Sequence, residues 1–295
     1  MADLSKLITQ AEALLTRLEA IVPQPSPPPD WNAAHAFRWR KRGNVSYLQP
    51  IPHPHRISVD DLRDIDEQKK TIERNTRQFV NGLPANNILL TGARGTGKSS
   101  LIKAMLAKFA KKGLRLIEVD KQDLVDLPDI VDLVSGRAER FIIYCDDLSF
   151  EASESAYKAL KVVLDGSIAG ASDNVLIYAT SNRRHLMPEY MSDNLETRHV
   201  GDEIHPSEGV EEKISLSERF GIWLSFYPFN QEQYLDIVEH WVVSLGATVT
   251  DKKAMHDAAL LWALTRGSRS GRVAWQFARD WAGAAGKRRR QRAQG

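Results

Sequence analysis

The stretch from Gly92 to Ser100, which reads GARGTGKSS, combines residue types that suit the binding of phosphate. Glycines let the backbone curl so that successive amide groups point inward at an anion, because there are no side chains to obstruct it. Lys98 adds a positive charge that can reach the β- and γ-phosphates, and the hydroxyl of Ser99 can ligate Mg²⁺. This spacing of glycines, lysine and hydroxyl is the P-loop pattern. The predicted nucleotide-binding residues are Gly92, Ala93, Arg94, Gly95, Thr96, Gly97, Lys98, Ser99 and Ser100.

Two carboxylates follow an apolar run further along the chain. Asp146 and Asp147 come directly after residues 141–145, which read FIIYC. Ligands of parallel sheets collect at the carboxyl ends of the strands, so this position favours a site over a simple Asx turn. We expect Asp146 to hold Mg²⁺ through water and Asp147 to orient or deprotonate the attacking water. Asn182 ends a further apolar run, where its amide can contact the γ-phosphate or that water.

A sheet must bring these residues together, and the sequence predicts one. Apolar runs lie at 87–91, 114–119, 141–145, 175–180 and 222–227, and they alternate with helical segments. Such runs indicate parallel strands that helices cover on both faces. Helical spacing without strands follows at 230–246, 251–266 and 270–285. The predicted fold class is therefore α/β, a parallel sheet in an αβα sandwich followed by a small helical domain.

The chain divides into a core and flanking segments. Residues 1–22 have the spacing of an amphipathic helix, and its polar face mixes both charge signs, which favours docking or dimerisation over membrane attachment. The stretch 187–217 has no periodicity and is predicted to be a long loop. The predicted divisions are an N-terminal helix at 1–22, a proline-rich and basic linker at 23–57, a nucleotide-binding core at 58–228, a helical lid at 229–286 and a disordered basic tail at 287–295.

Composition limits the class of protein. The chain has 40 basic and 38 acidic residues, so its overall charge gives no reason to expect nucleic acid or a membrane surface. Cys145 is the only cysteine, which excludes an intrachain disulfide. We find no secretory signal and no apolar run of the ~18 residues that a membrane span needs, so we expect a cytoplasmic protein with no membrane partner.

Two basic clusters leave nucleic acid open as a partner. FRWRKRG at 37–43 interleaves aromatic and basic residues, a pattern that can grip phosphates and stack on bases. A solvated linker is the interpretation that we prefer for it. KRRRQR near the C-terminus can also contact nucleic acid or acidic partners, although basic tails are common.

The order of P-loop, acidic strand end and polar strand end resembles an AAA+ ATPase over roughly residues 58–285. Within that superfamily, NTRQFVNGLPANNILLTGARGTGKSS together with DDLSFE and LSERFG resembles a bacterial family catalogued as a domain of unknown function. The resemblance implies a five-stranded αβα core, a helical lid, ATP and Mg²⁺ as ligands, and nucleotide at a subunit interface. It gives the Walker A role to Lys98 and Ser99, the Walker B role to Asp146 and Asp147, and the sensor 1 role to Asn182.

Two arginines receive roles only through this resemblance. Arg219 in SERFG would be the arginine finger that reaches the γ-phosphate of a neighbour, and Arg272 in GSRSGRVA would be sensor 2. Arg269 competes with Arg272 for the second role. An arginine supplied by a neighbour makes hydrolysis depend on assembly, so the expected partners are further copies of this chain with shared nucleotide sites. A surface arginine, or an arginine in a cap or salt bridge, is the alternative for each.

The expected function is hydrolysis of ATP to ADP and phosphate, coupled to a conformational change on a protein client that the sequence does not name. Most of the superfamily has Asp-Glu in Walker B, whereas this chain has Asp146 and Asp147. A slow ATP-gated scaffold therefore stays open. So does a DNA-associated initiator or helicase loader, because SERFGIWLSF resembles the arginine-finger segment of replication initiators. A small-molecule P-loop kinase fits less well, because Asn182 and the lid are not expected in one.

Overall fold

The structure is a computed structural model that covers the core and lid of the chain. It describes residues 8, 12–14, 29–43, 45–54, 57–150, 155–165, 173–182, 198–200, 203–205 and 216–293, with only the backbone at 198–200, 203–205 and 285–293. Most of the predicted N-terminal helix at 1–22 and of the predicted loop at 187–217 lies outside the described residues.

Strands and helices alternate through the core, and helices alone form the C-terminal part. The strands are β1 (Ala36–Arg42), β2 (Val45–Ile51), β3 (Ile88–Gly92), β4 (Leu114–Glu118), β5 (Arg140–Cys145), β6 (Val175–Ser181), β7 (Arg198–Val200), β8 (Glu203–His205) and β9 (Ile222–Phe226). The α-helices are α1 (Asp66–Val80), α2 (Lys98–Phe109), α3 (Leu127–Val134), α4 (Ser155–Asp165), α5 (Gln231–Ser244), α6 (Lys252–Thr265) and α7 (Gly271–Ala293). β7 and β8 pair as a small antiparallel hairpin within the predicted loop.

One mixed sheet positions the candidate site. Its strand order is β2-β1-β4-β5-β6-β3-β9, and all neighbouring strands are parallel except β1 and β2. The predicted five-stranded parallel core is present as β4-β5-β6-β3-β9. β6 lies between β5 and β3, so the acidic strand end, Asn182 and the P-loop reach the same edge of the sheet side by side.

Helices bury both faces of the sheet. α1, α2 and the lid, which consists of α5, α6 and α7, pack on one face around Ile72, Met105 and Tyr178. α3 and α4 pack on the other face around Leu127 and Leu160. All five of these side chains are completely buried. Full burial of a large apolar side chain contributes about 1.5–3 kcal/mol to the stability of the fold.

A buried polar network fixes α1 to the sheet. Asn75 Nδ2 donates to the carbonyl oxygen of Asn86 at 2.8 Å and to the hydroxyl of Tyr178 at 3.1 Å. The hydroxyl of Thr76 lies 2.8 Å from both the Ile72 carbonyl oxygen and the Tyr178 hydroxyl. Buried polar groups stabilise a fold only when they are paired, and these are.

Two strands lie where the sequence predicted part of a linker. β1 and β2 form an antiparallel ribbon, and β1 joins the sheet beside β4, so the sheet has seven strands instead of five. The linker prediction over 23–57 is therefore wrong for residues 36–51. Alternation places Phe37 and Trp39 on one face, where both are buried. β2 contains Pro50, and it lies at the edge of the sheet, where a missing backbone N–H is tolerated.

Acidic residues of the core pair with the basic residues of this ribbon. The ion pairs join Arg38 to Glu118 at 2.6 Å, Arg40 to Asp120 at 3.4 Å and Lys41 to Asp126 at 2.8 Å. Trp39 Nε1 donates to the same Asp126 at 2.8 Å. The aromatic and basic pattern of FRWRKRG thus serves the docking of a strand, and its interpretation as a nucleic-acid grip loses its support.

The last helix is longer than predicted. α7 continues to Ala293, so the predicted disordered tail at 287–295 is wrong up to that residue. Lysine and arginine are good helix formers, and positive charge stabilises the C-terminal end of a helix dipole. Within the described part of the chain, no helix is long and apolar enough to cross a membrane.

Candidate nucleotide-binding site

Two glycines, Gly92 and Gly97, illustrate why the backbone of the P-loop requires this residue. Gly92 has φ of +126°, and a Cβ there would lie 1.9 Å from the Phe226 carbonyl oxygen of β9. Gly97 has φ of 98° and is the residue that precedes α2. Residues with a side chain rarely adopt these angles. The loop therefore turns from β3 directly into the N-terminus of α2, whose unpaired amide groups and dipole favour an anion.

Lys98 projects back over the loop. Its Nζ lies 2.7 Å from the carbonyl oxygens of Gly92 and Ala93, and 3.1 Å from Oδ1 of Asn182. The residue is only 6% exposed. Burial lowers the pKa of Lys98, and the nearby Asp146 and Asp147 oppose that effect. The ammonium group is thus held where the loop, the acidic strand end and Asn182 meet.

Asp146 accepts hydrogen bonds from two hydroxyls. Ser99 Oγ donates to its Oδ1 at 2.8 Å, and Thr180 Oγ1 donates to the same oxygen at 2.5 Å. Burial alone would raise the pKa of Asp146, but these hydrogen bonds outweigh it, so the pKa lies below its ordinary value. The carboxylate therefore stays ionised beside the first turn of α2.

The hydroxyl of Ser99 and the carboxylate of Asp146 fit a magnesium ion that also binds phosphate. Mg²⁺ prefers oxygen ligands, keeps several waters, and is usually held by one or two carboxylates together with substrate phosphates. Ser99 and Asp146 provide such oxygens at the mouth of the P-loop, with their side chains already in contact.

Asp147 has an unusual backbone and three polar neighbours. Its φ is 52°, in the left-handed region that aspartate tolerates better than most residues. Asn182 Nδ2 donates to its Oδ1 at 2.5 Å, and Arg94 lies 3.8 Å from its Oδ2. Its backbone N–H donates to Thr180 Oγ1 at 2.9 Å. The structure thus brings Asp147 and Asn182 into direct contact.

A cavity of about 660 Å³ joins these residues to the lid. The P-loop, both carboxylates and Asn182 line it. Apolar side chains also line it, those of Ile57, Leu62, Ile65, Phe229, Ile237, Trp241 and Trp275. The rings of Trp241 and Trp275 lie 4.6 Å apart at 71°, and both side chains are half-buried. Flat aromatic faces suit a planar base and a P-loop suits phosphates, so the residues of the cavity match a nucleotide.

The lid contacts two residues that line the cavity. The backbone N–H of Gly271 donates to the carbonyl oxygen of Gly95 in the P-loop at 2.8 Å. Arg63, which precedes α1, pairs with Asp236 of α5 at 2.9 Å. The lid is therefore attached to the same residues that would hold the nucleotide.

The three predicted arginines lie in different places. Arg272, at the start of α7, lines the cavity. Arg269 lines a second depression, which shares Arg94 and Thr96 of the P-loop with the cavity. Arg219 is not among the residues of the cavity and pairs with Asp165 of α4 at 2.5 Å. A residue that acts on its own site has to reach it, so position favours Arg272 over Arg269.

The sequence analysis did not single out Thr180, Trp241 or Trp275. Thr180 was recognisable, because alternation along β6 places it on the same face as Asn182. The tryptophans lie on two separate lid helices, and helical spacing alone does not distinguish a wall of the cavity from ordinary core.

Solved structures with related folds are distant in sequence. A mutant of Thermotoga maritima RuvB aligns with a TM-score of 0.50 and 14% identity, over 77% of this chain and 65% of that one. A DNA replication initiation factor aligns with a TM-score of 0.48 and 14% identity, over 79% of this chain and 67% of that one. The chain spans 63% of the length of RuvB described as a Holliday junction branch migration motor. At such identities the likeness shows the fold alone, and no curated protein matches the sequence.

The sequence itself identifies the family. A family model described as "Protein of unknown function (DUF815)" matches residues 32–285. That range includes the ribbon, the P-loop, both carboxylates, Asn182 and the lid. With a P-loop, a parallel sheet and a helical lid in the arrangement described above, this chain belongs to the DUF815 family and has an AAA+ ATPase-like fold.

Proposed function

We propose that this protein binds ATP with Mg²⁺ and hydrolyses it to ADP and phosphate. The main support is the convergence on one cavity of the P-loop, the contact between Ser99 and Asp146, and the contact between Asp147 and Asn182. These groups come from strands and a loop that are distant in the sequence. The apolar side chains that line the cavity give the base a place to bind.

Each side chain has a specific role in this proposal. Lys98 exchanges its carbonyl contacts for β- and γ-phosphate oxygens, and Ser99 and Asp146 hold the magnesium ion. Asp147 takes the proton of the attacking water as the water oxygen bonds to the γ-phosphorus and the bond from that phosphorus to ADP breaks. Asn182 keeps Asp147 in place through its amide. The products are ADP, phosphate and the proton that Asp147 later releases to solvent.

The proposal includes assembly and lid movement. Arg272 contacts the phosphates from the lid of the same chain, and Arg219 enters the site of a neighbouring copy. Because the lid is hydrogen-bonded to Gly95 of the P-loop, a change in the loop between ATP and ADP moves the lid. That movement is the output that we assign to the cycle.

The test compares the unaltered protein with Asp147→Asn. Asparagine also tolerates a positive φ, so this variant removes the charge with little effect on the backbone. We expect phosphate release to rise with protein concentration, and to fall about 10²- to 10⁴-fold in the variant, the range for loss of a general base. Binding of a fluorescent ATP analogue should persist in Asp147→Asn and disappear in Lys98→Ala. Failure of the unaltered protein to bind the analogue would contradict the proposal.

A slow ATP-gated switch is the second candidate, and one observation favours it. Asp147 has a short side chain, and Asn182 and Arg94 already occupy its oxygens. Such a carboxylate activates water less well than a longer glutamate in the same position. Tight binding of the analogue with no phosphate release at any protein concentration would select the switch over the ATPase.

A further inference from the structure

Thr180 connects the two carboxylates of the site through a single hydroxyl. Its Oγ1 lies 2.5 Å from Oδ1 of Asp146 and 2.9 Å from the backbone nitrogen of Asp147. The residue itself is only 1% exposed. Thr180 thus bonds to the carboxylate assigned to the metal and to the backbone of the carboxylate assigned to the attacking water.

The direction of both hydrogen bonds is fixed by chemistry. A backbone N–H can only donate, so the oxygen of Thr180 accepts from Asp147. An ionised carboxylate can only accept, so the single hydrogen of the hydroxyl goes to Asp146. The Thr180 hydroxyl must therefore point its hydrogen at Asp146 and a lone pair of its oxygen at the N–H of Asp147.

The backbone after Asp147 is held by the same part of β6. The carbonyl oxygen of Thr180 accepts from the N–H of Leu148 at 2.7 Å, and Ser181 Oγ donates to the carbonyl oxygen of Leu148 at 2.7 Å. Asp147, with its φ of 52°, lies between Asp146 and Leu148, which both form hydrogen bonds with Thr180. A non-glycine residue keeps this conformation only where its surroundings hold it there.

We propose that Thr180 is a positioning residue that sets Asp146 for the metal and Asp147 for the attacking water, an inference that rests on the proposed ATPase function. Loss of the hydroxyl removes a donor from Asp146 and the acceptor of the Asp147 N–H together. Partners that hold metal ligands in place typically matter about 10- to 100-fold for metal affinity or activity. Nucleotide binding without metal does not involve this hydroxyl.

The experiment uses the full chain and three variants. Thr180→Val removes the hydroxyl at nearly constant shape, and Thr180→Ser keeps it. Thr76→Val is the matched control, because Thr76 is also a buried threonine with two hydrogen-bond contacts, but it lies between α1 and β6 away from the cavity. For each protein, the measurements are binding of a fluorescent ATP analogue with and without Mg²⁺, the Mg²⁺ concentration for half-maximal effect, phosphate release and the melting temperature.

For Thr180→Val, we expect metal-independent binding to stay the same, the half-maximal Mg²⁺ concentration to rise about 10- to 100-fold, and the turnover rate to fall by a similar factor. Thr180→Ser should resemble the unaltered protein. Thr76→Val should melt at a lower temperature with an unchanged Mg²⁺ requirement.

The inference is overturned if Thr180→Val needs no more Mg²⁺ and turns over as fast as the unaltered protein, or if Thr76→Val changes the Mg²⁺ requirement equally. Should Thr180→Val fail to fold, Thr180→Ala compared with Thr180→Ser gives the same readout. If the unaltered protein binds the analogue but releases no phosphate, only the proposed hydrolysis is contradicted. The Mg²⁺ requirement for binding still tests the role of Thr180 in that case.

Discussion

At the scale of a residue, the surroundings of Lys98 set the pKa of its ammonium group. Its burial lowers its pKa, and the carboxylates of Asp146 and Asp147 partly restore it. A bound phosphate adds further negative charge beside the ammonium group, which favours the protonated form. We therefore expect nucleotide binding to raise the pKa of Lys98 and to keep the lysine protonated.

Arg272 and Arg269 provide a sharp comparison of two neighbouring arginines. Both are exposed, but only Arg272 lines the cavity. We expect Arg272→Ala to weaken binding of the fluorescent ATP analogue about 10- to 100-fold, because hydrogen bonds to charged groups contribute about 1.5–3 kcal/mol. Arg269→Ala is the control and should bind like the unaltered protein. The assignment of Arg272 is wrong if the two variants show the reverse order of affinities.

At the scale of an element, the basic residues of the ribbon of β1 and β2 serve to attach it to the sheet. Its charged residues contact carboxylates at the end of β4 and in the turn after it. The contact with Asp126 raises the pKa of Lys41. The pair of Lys41 and Asp126 therefore stabilises the folded state fully below the ordinary pKa of lysine, and this contribution is lost as the pH rises through the raised pKa. At neutral pH it is fully present.

We expect the combined substitutions Arg38→Gln, Arg40→Gln and Lys41→Gln to lower the melting temperature without changing affinity for an oligonucleotide. Partly exposed ion pairs contribute up to about 1 kcal/mol each. Thermal unfolding and fluorescence anisotropy at several salt concentrations are the measurements. A protein with Lys111→Gln and Lys253→Gln, which replaces two exposed lysines elsewhere, serves as the control. Weaker oligonucleotide binding with a flatter salt dependence in the ribbon variant alone would show that these residues bind nucleic acid after all.

At the scale of the whole molecule, we propose that Arg219 links activity to assembly. It pairs with Asp165 and is not among the residues that line its own cavity. In this proposal Arg219 enters the site of a neighbouring copy. A shared site would let each subunit respond to the nucleotide state of the next.

Mixing two inactive proteins tests this arrangement. Arg219→Ala should lose about 10³-fold or more in turnover, the effect of removing an arginine finger, while Asp147→Asn lacks the water-activating carboxylate. In the mixture, Asp147 of the Arg219→Ala protein and Arg219 of the Asp147→Asn protein can together form a complete site. Phosphate release from the mixture should therefore exceed the sum of the separate proteins several-fold. Activity equal to that sum would place Arg219 in its own site or outside catalysis.

The sequence alone determined the P-loop, the acidic strand end, the strands of the parallel core and the lid helices. These features depend on residues that are close together in the chain. Glycine spacing, apolar runs of strand length and helical periodicity each express local physics, which one short segment contains in full. β1 and β2 were not predicted, because prolines and basic residues interrupt the apolar pattern that is typical of a strand.

Only the tertiary structure decided which side chains meet. Arg38 and Glu118 are 80 positions apart, and their contact changed the interpretation of a basic motif. Thr180 joined two carboxylates because β6 lies beside β5, and the tryptophans became a wall of the cavity because the lid folds over the P-loop. Such contacts follow from strand order and helix packing, which depend on the free energy of the whole chain, so no local pattern specifies them.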